Sequence, residues 1–239
     1  ISIARNCTKM NMTATFLMLK KSKTIFFCAL AAFAAASPCA ELRDARDGAT
    51  YETVLIGDQV WMGENLRYLP RVDADESFDD PEYFVYGYDG SDVEAARATN
   101  EFRKYGVLYN WTAAQNACPE GWHLPDTTEW NALYASVGGK KVAALRLKSK
   151  EGWTKNGNGT DGHGFSILPG GYRNKYGDFH AVEDYAGFWT ADSASCCAAF
   201  YNTFYYYYDN VFSGAGGKGA GGSPWVGKDY GFSVRCLKD

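Results

Sequence analysis

A single α+β domain is predicted for this 239-residue chain, on three observations. A helix signal stands in mid-chain, where Asp126 precedes Glu129 by three residues and Trp130, Leu133, Tyr134 and Val137 follow at helical spacing. After Trp153 the texture changes to glycine-rich turns between short apolar segments, which reads as strand and loop. Setting aside a leader-like N-terminus leaves about 200 residues, enough for one domain with a substantial core.

The N-terminal stretch reads as export machinery rather than fold. Met18 is followed by Lys20, Lys21 and Lys23, then by an apolar run over 24–36 that ends in small residues. That is the anatomy of a secretory signal peptide, and the run is shorter than the ~20 residues of a membrane span. The expected organisation is upstream sequence over 1–17, a signal peptide over 18–36, a short linker over 37–43 and the domain over 44–239. Cys39 offers a lipid-attachment point, although Pro38 stands where a small residue is expected. It is the one expected route of membrane attachment.

Charge narrows the partners. Residues 1–36 hold five cations and no anion, so cleavage would take the formal net charge from −4 to −9. An acidic chain of this kind is a poor match for nucleic acid, whose phosphates call for a basic face, or for anionic membrane surfaces. Besides Cys39, the exported chain keeps Cys118, Cys196, Cys197 and Cys236, usage that fits an oxidising compartment. Four cysteines allow three pairings. A Cys118–Cys236 bridge would close a loop of about 120 residues and contribute roughly 4–5 kcal/mol in the chain-entropy model. Cys196 and Cys197 would form a strained vicinal bridge, stay free or bond elsewhere.

In chain order, Tyr51–Ile56 and Gln59–Met62 flank Gly57-Asp58 and predict a tight hairpin. Residues 71–101 form an acidic, aperiodic insert with Asp73, Asp75, Glu76, Asp79, Asp80 and Glu82, expected to be a surface loop. Tyr105–Trp111 leads into a short helix through Ala113–Ala117. The helix capped by Asp126 ends at Gly138-Gly139, and a second amphipathic stretch covers Val142–Leu147. Strands are expected over Gly164–Leu168, Gly187–Ala191, Phe200–Tyr208 and Phe232–Leu237.

Enzymatic signals are sparse. His123, His163 and His180 lack zinc-motif spacing, and His123, between Trp122 and Leu124, reads as a packed, hydrogen-bonded residue. There is no Gly-x-Ser-x-Gly elbow. Gly214–Gly219 resembles a phosphate loop but lacks a Ser or Thr after Lys218, so it reads as a flexible surface loop. The acidic insert has oxygen ligands for a structural calcium without EF-hand spacing; otherwise no cofactor is expected.

The tract Phe200–Asn210 points to binding. Four tyrosines in succession on a strand would place two on each face, so some must meet solvent. Tyr supplies rigid amphipathic contact area at low entropy cost. Residues 192–217 also contain no Lys, Glu, Gln, Met or Trp, where a window of this size should hold about four. The remaining alphabet is what codons of the pattern N-N-pyrimidine encode, the outcome of adenine-directed mutagenesis of Asn codons.

Several motifs occur in a set order: Trp61–Leu66, Tyr105–Trp111, Cys118–Pro125, Gly164–Arg173, Phe188–Thr190 and Gly231–Asp239. Together they resemble the Fibrobacter succinogenes major paralogous domain family, a bacterial, exported, often lipid-anchored family without a well-established activity. The resemblance covers nearly all of 44–239. One departure is that residues 71–104 lack the cysteine pair many members carry. The family is similar to C-type-lectin-like and formylglycine-generating-enzyme-like folds, and that similarity implies a long-range Cys118–Cys236 disulfide. Three functional readings follow. One is a non-enzymatic binding module for a glycan or a cell-surface protein, with a face made of Phe200, Tyr201, Asn202, Phe204, Tyr205, Tyr206, Tyr207, Tyr208, Asp209, Asn210 and Trp225, together with Ser193–Cys197 and the glycine-rich loop. Diversity-generating retroelements act on the C-terminal parts of such lectin-fold proteins, and the 192–217 tract resembles a variable region. The alternatives are a cysteine-dependent oxidoreductase using Cys196-Cys197 as soft copper ligands, although adjacent cysteines are not the spacing of formylglycine-generating enzymes, and a structural envelope protein.

Overall fold

The computed structural model describes residues 41–74, 77–213 and 225–239. The expected signal peptide, Cys39, Asp75, Glu76 and the glycine-rich loop lie outside them. The architecture is mixed α+β and mostly strand, and begins with β1 (Glu41–Arg43), β2 (Thr50–Ile56) and β3 (Gln59–Met62). β2 and β3 pair antiparallel from Thr53↔Met62 to Ile56↔Gln59, around a turn in which Gly57 takes a positive φ of 61°. β1 pairs with β2 from Glu41 onward, so the domain reaches into the segment expected to be linker.

The acidic insert is more structured than a surface loop. It carries β4 (Tyr83–Phe84), α1 (Val93–Arg97) and α2 (Asn100–Tyr105), and it buries Val72, Phe84, Val85 and Ala96. Asp92 caps α1 by accepting from the N–H groups of Glu94 and Ala95, and Thr99 caps α2 by accepting from Phe102. β4 pairs with β5 (Leu108–Tyr109), which leads into α3 (Trp111–Ala114), two residues earlier than expected. Asn110 caps α3 and ties the insert down: its Oδ1 accepts from Glu82 and Ala113, and its Nδ2 donates to Ser77 and Asp80. The carboxylates of Asp73 and Glu82 accept backbone N–H groups of Tyr83 and Ser77, so both serve the loop's own folding.

After β6 (Trp122–His123) comes α4 (Thr127–Ser136), with the capping box formed as expected: Asp126 accepts from Glu129 N–H and Glu129 from Asp126 N–H, both at 2.8 Å. α5 (Lys140–Leu147) begins just beyond Gly138-Gly139, both at positive φ. Gly164–Leu168 forms only an isolated bridge, Lys148↔Ile167, rather than a strand. The rest is β7 (Tyr172–Arg173), β8 (Phe179–His180), β9 (Tyr185–Ser193), β10 (Ala198–Tyr205), β11 (Phe212–Ser213), β12 (Trp225–Gly227) and β13 (Leu237–Lys238). Phe232–Val234, expected within the last strand, makes isolated bridges at Phe232 and Ser233.

Among the described residues, β1, β2, β3, β13 and β6 form one sheet in that order, so β13 lies between β3 and β6. Cys118 and Cys236 form the disulfide, with Cα atoms 5.8 Å apart. Arg235, fully buried, explains why distant motifs travel together. It donates to the carbonyl of Phe165, to Met62 O at 3.3 Å and to Asn65 Oδ1 at 2.7 Å, with its guanidinium 4.6 Å from the Phe165 ring. Three motifs meet on one side chain. Burial pushes the guanidinium's pKa down to about 9, opposed by the charges of Glu64 and Asp161.

Candidate ligand-binding face

β10 is the backbone of the candidate face, and its position decides which tract residues can meet a ligand. β9 pairs along one edge, from Tyr205↔Tyr185 to Ala199↔Ser193 with a register shift near the far end. β11 and β12 share the other edge, at Asn202↔Ser213 and Phe200↔Trp225. β10 is therefore a central strand. Its two faces are both covered, as period-2 alternation requires of a strand between two cores. Tyr185, Trp189, Ala199 and Tyr201 pack in one buried cluster with Tyr109, Phe232 and Val234. Ala186, Phe188 and Phe204 pack in the other with Trp61, Trp130 and Phe165.

Tyr201, Asn202 and Phe204 are consequently buried, and Phe200 and Tyr205 half-buried. The ring of Tyr201 stacks on Phe232 at 5.1 Å. Asn202 Nδ2 and Ser213 Oγ, on paired residues, are buried without a hydrogen-bond partner among the described residues.

The strand stops at Tyr205, so the four tyrosines do not alternate across a sheet. Tyr206–Asn210 instead forms a turn, entered by Tyr206 N–H donating to Asp184 O at 3.0 Å. The cause is Lys148, a residue that composition and spacing gave no reason to single out. Its side chain is buried, and Nζ donates to the carbonyls of Tyr205 (3.1 Å), Tyr206 (3.2 Å) and Tyr208 (3.2 Å). Three carbonyls on one ammonium must converge, which bends the chain out of the extended form. Burial lowers the Lys148 pKa, opposed by the charge of Asp209, and the ammonium sits 5.1 Å from the Trp153 ring. Flanked by Arg146 and Lys150, Lys148 carries no sequence signal of its own.

On this clamp the side chains form a continuous aromatic cluster. Tyr207 lies 4.3 Å from Tyr208 and 4.7 Å from Tyr206 by ring centroids, and Tyr208 lies 5.1 Å from Phe212. Tyr207 and Tyr208 are 57% and 39% exposed, and Asp209 beside them is exposed. Lys155 approaches the Tyr206 ring at 4.9 Å. Trp225, 49% exposed, meets Phe200 edge-on at 6.5 Å at the opposite end of β10.

Two cavities lie away from this turn. A cavity of about 210 Å³ is lined by Asp73, Tyr88, Asp89, Arg173, Tyr176 and Asp178, and another of about 520 Å³ borders Arg71, Ser77 and Asp80. Neither touches the tyrosine turn, whose surface suits an extended partner more than an engulfed small molecule. Among the described residues no three His, Cys, Asp or Glu side chains are placed to hold a metal ion, and no helix is long and apolar enough to cross a membrane.

The remaining candidates separate cleanly. Cys196 and Cys197 are free and exposed, with sulfurs 3.0 Å apart. His123 is hydrogen-bonded as expected, Nδ1 to Asp239 at 2.6 Å and Nε2 to the capping-box Glu129 at 2.9 Å. Partial burial disfavours its charge, but the two carboxylates outweigh that and raise its pKa. His180 contacts Asn174 at 2.8 Å on the β7–β8 hairpin.

Comparison with known proteins gives no match among curated proteins and none among solved structures. The model of the Fibrobacter succinogenes major domain matches residues 54–238, a span that holds Arg235, the disulfide and the tyrosine turn alike. With most of its length inside that match, this chain belongs to the Fibrobacter succinogenes major domain family.

Proposed function

We propose that the domain is an exported, non-enzymatic ligand-binding module of C-type-lectin-like architecture that presents the aromatic turn Tyr206–Asn210 to a glycan or to a surface protein of another cell. The observation that carries this reading is the exposure of Tyr207 and Tyr208 on a turn whose backbone is pinned by Lys148. Solvating large rings side by side is unfavourable, and holding them rigid lowers the entropy lost on binding. Asp209, exposed beside the rings, would add polar discrimination. Tyr201, Asn202 and Phe204 belong to the scaffold beneath this face, and Trp225 to its far margin.

The long-range Cys118–Cys236 disulfide supports both parts of the setting. It suits an oxidising compartment, and it joins the segment before α4 to the strand that closes the sheet, as the lectin-like folds do. Retroelement diversification of the tract remains part of the proposal in a narrower form: variation belongs at exposed positions, because substitutions at Tyr201 or Phe204 would damage the core.

Glycan and surface-protein arrays probed with the protein and with a Tyr207→Ala/Tyr208→Ala variant test the reading. Array hits retained by wild type and by a Leu55→Ser control, but lost by the double variant, are expected. A double variant that keeps every hit sinks the assignment of the face. Copper titration with turnover of a cysteine substrate tests the oxidoreductase reading, and is expected to show neither tight copper nor turnover. A structural envelope role predicts no array hit at all.

A further inference from the structure

The exposed Cys196-Cys197 pair belongs neither to the structural disulfide nor to the aromatic turn. It sits at the tip of the β9–β10 hairpin, where the N–H groups of Ala194 and Ser195 both donate to Ala198 O, at 2.9 and 3.0 Å. The tip is held further by Ser193 Oγ donating to Ser195 O at 2.7 Å and by Cys197 N–H donating to Ser195 Oγ at 3.3 Å. Both thiols are in solvent and their sulfurs are 3.0 Å apart, so a second thiol waits within reach of anything that reacts with the first. The backbone N–H of Lys228 donates to Cys197 O at 3.1 Å, while its ammonium lies 4.1 Å from the Trp111 ring. The neighbouring Cys196 sulfur raises the Cys197 pKa, and the Lys228 charge opposes that rise.

We propose that Cys196 and Cys197 form a reversible redox site that closes to a vicinal disulfide by exchange with a small disulfide, R–S–S–R. One protein thiolate attacks a sulfur of R–S–S–R, forming a mixed disulfide and releasing one R–S⁻, which takes up a proton. The other protein thiolate then attacks the protein-bound sulfur, the Cys196–Cys197 bond forms, and the second R–S⁻ leaves and is protonated. Two protein thiols are oxidised and one small disulfide is reduced to two small thiols.

Chain geometry makes the closed form a switch rather than a staple. Consecutive Cα atoms are fixed about 3.8 Å apart by the trans peptide, below the roughly 4.4–6.8 Å that disulfides usually span. The vicinal bridge is therefore strained and easily reduced, in contrast to Cys118–Cys236 with Cα atoms 5.8 Å apart and Cys236 buried. Closing it turns the 196–197 peptide, and the carbonyl that follows, that of Cys197, accepts from the backbone N–H of Lys228, which β12 precedes directly. The effect reaches Trp225, the residue paired with Phe200. The exchange itself does not depend on the ligand-binding reading, and its test needs no ligand.

Trypsin isolates the site, because residues 176–218 hold both cysteines, no other cysteine and no internal Lys or Arg. The protein, mildly reduced, is titrated with oxidised glutathione, quenched, digested without reductant and weighed. Wild type is expected to yield this peptide lighter by two hydrogens with no glutathione attached. Cys196→Ser and Cys197→Ser should each stop at a stable glutathione adduct. Brief treatment with a dithiol should then reopen the wild-type pair while Cys118–Cys236 stays bonded. A wild-type peptide that remains a dithiol, keeps glutathione or crosslinks to a second chain overturns the proposal. So does a bridge that resists the dithiol as long as Cys118–Cys236 does.

Discussion

Ala199–Phe204 and Tyr206–Asn210 are adjacent and are written in the same restricted alphabet of aromatic, small and amide residues, yet they do opposite work. The first has a strand on both edges and a core on both faces, so its rings hold the domain together. The second has left the sheet and is anchored from beneath by one ammonium, and its Tyr207 and Tyr208 rings face water. Composition therefore marks the tract without dividing it into scaffold and surface. The dividing line is where Lys148 gathers the carbonyls.

The sharpest way to break that contrast is to delete one ring on each side of the line. Phe204→Ala should cost about 3–5 kcal/mol in denaturant unfolding, as for a fully buried ring, whereas Tyr207→Ala should stay within about 0.5 kcal/mol, as for exposed sites. Equal costs would erase the distinction. Next in size is Lys148→Met, which leaves three carbonyls without their donor and should cost about 1–3 kcal/mol. It should also expose Tyr206–Tyr208 to chymotrypsin under native conditions, and an unchanged digestion pattern would show that the clamp does not shape the turn. Deep sequencing of the gene within one population sharpens the same line: substitutions at adenine positions are expected within 193–195 and 206–210, with 199 and 201–204 fixed. A uniform tract discards diversification and leaves the face itself in place.

The smallest effect lies outside the tract and serves as its control. His123 has a raised pKa in the folded protein, so its contribution is full below the unfolded value near 6.5 and declines as pH rises through the folded value. Thermal stability should therefore fall modestly from about pH 6 toward pH 8, in wild type and Tyr207→Ala alike. The slope should vanish in His123→Gln, and its persistence there would assign the titration to another group.

What could be read in advance was local. Gly57-Asp58, the Asp126–Glu129 box and Gly138-Gly139 act within a few residues of themselves, and each formed where the spacing put it. Asp92 and Thr99 carried cap signals of the same kind, but helices of five and six residues give too little periodicity to stand out from an acidic segment. The family was legible because its motifs are core positions pinned to one another, and Arg235 is the pin for three of them. The site was legible only as a composition. Whether a tyrosine run continues as strand or breaks into a turn is settled by a lysine 57 to 60 positions away, and no spacing rule connects them.

The place of β13 sets an order of events. Leu237 pairs with Trp61 on one side and His123 on the other, so the sheet has a gap at its middle until residues 236–238 have been made. Tyr51–Met62 can form its hairpin early, but it cannot join β6, and Cys118 has no partner, until then. Completion of the sheet therefore waits for residues 236–238 to leave the ribosome. Under the export proposed above, that delay would keep the chain threadable until it meets its oxidant.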